Sequence, residues 1–113
     1  GTIEVLKKVK NTNRYKLILL SDNVREWIEY VLKTNNDLKI FDYMFFSYEL
    51  ESIKEDSITF VKVLDKINAK PEETIFIDDL ITNINVAESV GIQGIQFINA
   101  KKLEEDLINK NII

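Results

Sequence analysis

The sequence predicts an α/β fold, a parallel sheet of about four strands covered by helices on both faces. Three observations carry that expectation. Short apolar runs lack the in-and-out alternation of a half-exposed strand, amphipathic stretches of helical period separate them, and the two kinds of segment alternate four times along the chain.

The first stretch repeats Ile3, Leu6 and Val9 at helical spacing. Asn11 to Arg14 then interrupts the pattern, and Tyr15-Lys16-Leu17-Ile18-Leu19-Leu20 follows as a buried strand. Val24, Trp27, Ile28, Val31 and Leu32 form a full apolar stripe, and Asn23 with Glu26 supplies a capping box, so a second helix is expected there. Tyr43-Met44-Phe45-Phe46-Ser47 reads as the next strand, and Phe60, Val63, Leu64 and Ile67 mark a helix that Asp56 or Ser57 would cap. Lys70-Pro71-Glu72-Glu73 is a turn into the strand Thr74 to Asp78. The following helix turns Ile84, Ala87 and Val90 inward and stops at Gly91, where a residue without Cβ suits the left-handed position after a helix. Gly94-Ile95-Gln96-Phe97 is the fourth strand, and Leu103, Leu107 and Ile108 support a closing helix.

Composition narrows the chemistry. A chain of 113 residues with 45% hydrophobic content suits a single domain over 1–113. Fifteen basic against 19 acidic residues give a net charge of −4, which offers no electrostatic footprint for nucleic acid or an anionic membrane. No apolar stretch reaches the roughly 18 residues of a membrane span, and the polar start does not resemble a secretory signal, so a cytoplasmic protein is expected. There is no cysteine and no histidine. Thiol nucleophiles, Cys/His zinc sites and His-based relays are therefore excluded for this chain acting alone, and any metal must be a hard, oxygen-bound one.

In a doubly covered parallel sheet, ligands bind at the carboxyl ends of the strands. The first strand there delivers Ser21, Asp22 and Asn23 to the start of a helix, where free backbone amides and a hydroxyl could cradle phosphate or simply cap the helix. The third strand delivers Asp78 and Asp79. Adjacent acids suit Mg²⁺, which takes one or two carboxylates and keeps water or phosphate in the rest of its shell, but they also suit a solvated turn. Two crowded negative charges ask for a cation, and Lys54, placed after the second strand and before a helix, is the internal candidate.

In the order Ser, Lys, Asp-Asp, the chain resembles the haloacid dehalogenase superfamily, in particular its phosphatase-like members. Tyr15-Lys16-Leu17-Ile18-Leu19-Leu20-Ser21-Asp22-Asn23 looks like the family's second motif, Ser52-Ile53-Lys54-Glu55-Asp56-Ser57-Ile58-Thr59-Phe60 like the third, and Ile75-Phe76-Ile77-Asp78-Asp79-Leu80-Ile81-Thr82-Asn83, with Ala87 following, like the fourth. The likeness spans roughly residues 3 to 98 and implies a Rossmann-like core acting on a phosphorylated small molecule with Mg²⁺ as cofactor. It implies that Ser21 and the following amide at Asp22 hold phosphoryl oxygens and that Lys54, the catalytic lysine, neutralises charge between phosphate and carboxylates. It also implies that Asp79 is the principal metal ligand, Asp78 a second ligand or the partner of Lys54, and Asn83 a support of the metal's outer shell. One departure is Glu55, standing where the family has proline after the lysine.

A larger departure is the family's first motif, an apolar strand ending in Asp-x-Asp that supplies the nucleophile. No such run occurs: Asp22 is followed by Asn23 and Val24, and Asp42 precedes a strand instead of ending one. In the family that strand is central, between the strands that here are Leu17 to Leu20 and Thr74 to Asp78. The expectation is thus the C-terminal part of a phosphatase core, inactive alone. The gap would close by direct pairing of those two strands, or by a strand from the N-terminal part of the same protein or a second copy. A non-catalytic binding or interaction module on the same scaffold is the alternative. A phospho-receiver-like domain is disfavoured, because there the acids precede the Ser/Thr and Lys.

Overall fold

The computed structural model describes residues 1–21, 40–46 and 57–113. In chain order these form α1 (Thr2–Asn11), β1 (Ile18–Ser21), β2 (Tyr43–Phe46), α2 (Ser57–Ile67), β3 (Ile75–Asp78), α3 (Ile81–Ser89), β4 (Gln93–Gln96) and α4 (Ala100–Asn109), with a 3-10 turn at Pro71–Glu73. The expected helix carrying Val24 to Leu32, its capping box, Ser47 and the cap at Asp56 lie outside the described residues.

Among the described residues both strand pairings are parallel. β1 lies on β2 with Ile18 opposite Tyr43 and Ser21 opposite Phe46, and β3 lies on β4 with Ile75 opposite Gln93 and Asp78 opposite Gln96. Two packed layers explain the continuous apolar runs. On one side Val5 and Val9 of α1, Leu103 and Leu107 of α4, Leu17, Ile95 and Ile112 form a buried cluster that Ile75 and Ile77 join. On the other, Phe60 and Leu64 of α2, Ala87 of α3 and Ile92 pack with Leu20 and Phe76. Successive residues of β3 thus enter opposite layers, as the period of a strand requires. Phe76 meets Phe60 edge to face with ring centroids 4.8 Å apart.

The elements differ from the sequence pattern at their margins. α1 buries Val5 and Val9, four apart, and leaves Leu6 beside the cluster. β1 starts at Ile18, and Tyr15 is 39% exposed. Ile108 is 50% exposed, because one step beyond the buried Leu107 turns it off the inward face of α4. α3 ends where expected: Gly91 adopts φ 93°, and the amide of Ile92 returns to the carbonyl of Ala87 at 3.2 Å. Gly94 lets α3 approach β4 closely, since a Cβ there would stand 2.5 Å from Ile84 Cγ2.

The start of β1 is set by Asp42. Its Oδ2 accepts the amide of Leu17 at 2.7 Å, its Oδ1 accepts Lys10 Nζ at 3.0 Å, and its own amide donates to the carbonyl of Leu17 at 2.7 Å. The Leu17 amide, followed by Lys10, holds the Asp42 carboxyl below its ordinary value of 3.8. A depressed value in the folded state means stability that is present above pH 3.8 and is lost as pH falls through the folded value. Asp42→Asn should therefore cost about 1 kcal/mol near pH 7, reduced by solvent screening of this part-exposed group. It should also flatten the loss of stability below about pH 4. Urea titrations at pH 7 and pH 3 of both proteins check this.

β1 and β3 do not pair. Among the described residues each has one laddered edge, on β2 and on β4 respectively, and the direct closure of the gap allowed by the sequence does not occur. The two strand pairs are nevertheless held by common helical layers, since Leu17 shares a cluster with Ile75 and Ile77, and Leu20 shares one with Phe76.

Candidate active site at the end of strand β3

The two acids that close β3 have different surroundings. Asp78 is 8% exposed. Its Oδ1 accepts the amide of Leu80 at 2.9 Å, and its Oδ2 accepts Asn83 Nδ2 at 3.3 Å. It therefore fastens the turn after β3 to the first turn of α3, where Asn83 is itself 4% exposed. Asp79 is exposed, and of this residue it is the backbone that is held: its carbonyl accepts Gln96 Nε2 at 3.2 Å. One carboxylate serves the turn while its neighbour is presented to solvent.

The donor set fits a hard divalent cation. Asn83 Oδ1 is buried without a hydrogen-bond partner, although an unsatisfied buried acceptor costs about 1–3 kcal/mol. A water of a hydrated cation bound beside it would supply the missing donor. Among the described residues no three Asp or Glu side chains gather into a cluster. Mg²⁺ binds through one or two carboxylates and retained water.

Of the residues singled out in the sequence, the structure brings together Asp78, Asp79 and Asn83. Ser21 is the last residue of β1, at the carboxyl end of its strand as Asp78 is of β3. Asp22 and Lys54 lie outside the described residues. Gln96, which the sequence pattern does not single out, also reaches this turn through its bond to the Asp79 carbonyl. The sequence marks it only as a polar residue near the end of the fourth strand; its register opposite Asp78 is seen in the fold.

Among the described residues no helix is long and apolar enough to cross a membrane. Residues 1–97 match the sequence model of the family described as haloacid dehalogenase-like hydrolase. Over 96 residues the chain is 31% identical to the phosphorylated carbohydrates phosphatase of Thermotoga maritima, which covers 84% of this chain and 44% of that protein. A HAD family enzyme of Bacteroides thetaiotaomicron, solved as a magnesium complex, is 27% identical with a TM-score of 0.74, covering 86% of this chain and 52% of the other. A HAD-superfamily hydrolase from Ehrlichia chaffeensis is 25% identical with a TM-score of 0.81, covering 96% and 57%. The chain spans about half the length of these relatives.

Proposed function

Because the chain belongs to the haloacid dehalogenase-like hydrolase family, we propose that it carries the phosphate- and metal-binding part of a cytoplasmic Mg²⁺-dependent phosphatase of phosphorylated small molecules. The observation that carries this reading is the division of labour at the end of β3: Asp78 is engaged within the fold, Asp79 is exposed, and the buried acceptor of Asn83 awaits a donor. Asp79 would ligate the cation, Asp78 orients the turn, and Asn83 would accept from a water of the metal's shell. Ser21 and the amide of Asp22 hold phosphoryl oxygens, and Lys54 offsets negative charge between phosphate and carboxylates. The bound cation supplies charge stabilisation at the phosphoryl oxygens.

The attacking carboxylate comes from a strand placed between β1 and β3 and contributed by the N-terminal part of the same protein; a second copy of residues 1–113 could fill the gap but carries no Asp-x-Asp strand. Both strands keep an edge without a ladder partner among the described residues, and helical layers cover both faces of the region they share. A strand entering there would be buried on both sides and should be apolar throughout except at its carboxyl end.

The test is release of inorganic phosphate from sugar phosphates and p-nitrophenyl phosphate. The polypeptide of the complete reading frame should hydrolyse at least one of them with Mg²⁺ and stop when the metal is chelated, and residues 1–113 alone should show no release above buffer. Failure of the complete polypeptide to respond to Mg²⁺ would leave a binding module, and turnover by 1–113 alone would place the nucleophile within this chain.

A further inference from the structure

We infer that Gln96 is a positioning residue that aims the Asp79 carboxylate, an inference that rests on Asp79 being the metal ligand. Both peptide units flanking the Asp79 Cα are clamped. The carbonyl of Asp78 accepts the amide of Phe97 at 2.7 Å, which fixes the unit on the N-terminal side. The unit on the C-terminal side is held at both ends: the Asp79 carbonyl accepts Gln96 Nε2 at 3.2 Å, and the Leu80 amide donates to Asp78 Oδ1 at 2.9 Å. Fixing both planes fixes the direction of the Cα–Cβ bond between them, and with it the arc the carboxylate can sweep.

β4 closes on Gln96, opposite Asp78. The chain has by then bent out of the strand at Asp79, so the Gln96 side chain continues the attachment of β3 to β4 by one further bond. Phe97 contributes through its backbone, and Asp78 is buried within the turn, so neither can be removed without disturbing more than this contact. Gln96 is exposed. An exposed side chain outside the core contributes little to overall stability, so its effect on metal binding is separable from its effect on folding. A ligand held in place before the cation arrives loses less conformational freedom on binding, and removing groups that orient a ligand typically weakens metal affinity by about 10–100-fold. For a solvent-exposed amide that holds the ligand through its backbone, an effect below that range, about 3- to 10-fold, is expected.

The experiment is calorimetric titration of Mg²⁺ into the polypeptide of the complete reading frame, its Gln96→Met and Gln96→Ala variants, and Asp79→Ala, with thermal midpoints measured in parallel. Gln96→Met keeps length and removes the donor. Both Gln96 variants should bind Mg²⁺ about 3- to 10-fold more weakly with thermal midpoints within about 2 °C of the parent. Parent-like affinity in both, beside a parent that loses binding in Asp79→Ala, overturns the role of Gln96 and leaves the metal assignment intact. Affinity lost only together with several degrees of thermal midpoint also overturns it, since Gln96 would then act on the fold. A parent whose Mg²⁺ binding survives Asp79→Ala removes the premise and the inference with it.

Discussion

Asp79→Ala is expected to lower Mg²⁺-dependent phosphate release by the complete polypeptide about 100-fold or more, with a thermal midpoint close to that of the parent. A bound metal contributes several kcal/mol to catalysis of this kind, and about 2.7 kcal/mol already corresponds to 100-fold. Stability is spared because the contact Asp79 makes to the fold runs through its carbonyl, which alanine retains, and because its side chain is exposed. Substitution of Asp78 should in addition lower the thermal midpoint. Its loss strands the Leu80 amide and leaves Asn83 without its carboxylate partner, inside a site where both side chains are more than nine-tenths buried. Steady-state rates across a Mg²⁺ series, with thermal melts of both variants, separate the two acids. Parent-like rates for Asp79→Ala would overturn the assignment of the metal to that residue.

The alternation of helices and strands was legible because burial on two faces writes a continuous apolar run, as Ile75, Phe76 and Ile77 show by entering opposite layers in turn. Less legible was where β1 begins. Tyr15 to Leu17 continues the apolar run, but the Leu17 amide is taken by the side chain of Asp42, 25 residues away, and no local pattern encodes that bond. Ile108 kept the helical spacing and still fell outside the buried face, since a stripe read from spacing has no sharp border. The paired acids were visible as a pair. Which one the turn consumes depends on hydrogen bonds from Leu80 and Asn83 that exist only once α3 has folded back. Gln96 acquires its part through the register of β3 on β4, a relation between segments that neither segment states alone.

Leu103→Ala should destabilise the fold by about 3 kcal/mol, the middle of the range for deleting a fully buried leucine. Leu103 is 1% exposed and lies in the cluster that joins Val5 and Val9 of α1, Leu17 ahead of β1 and Ile95 of β4. The position matters more here than in a continuous sheet. No ladder joins β1 to β3 among the described residues, so the cohesion of the two strand pairs runs through side chains of the helical layers. A cavity at Leu103 weakens one of those layers while the opposite layer, built on Phe60, Leu64, Ala87 and Ile92, stays intact. The urea midpoint should fall by about 1.5 M for a dependence near 2 kcal/mol per molar. Hydrogen exchange should then show the amides of Ile77 and Ile95, whose side chains join this cluster, opening at lower urea than in the parent. A midpoint shift below about 0.3 M with parent-like exchange at Ile77 and Ile95 would mean that the strand pairs are coupled by something other than this layer.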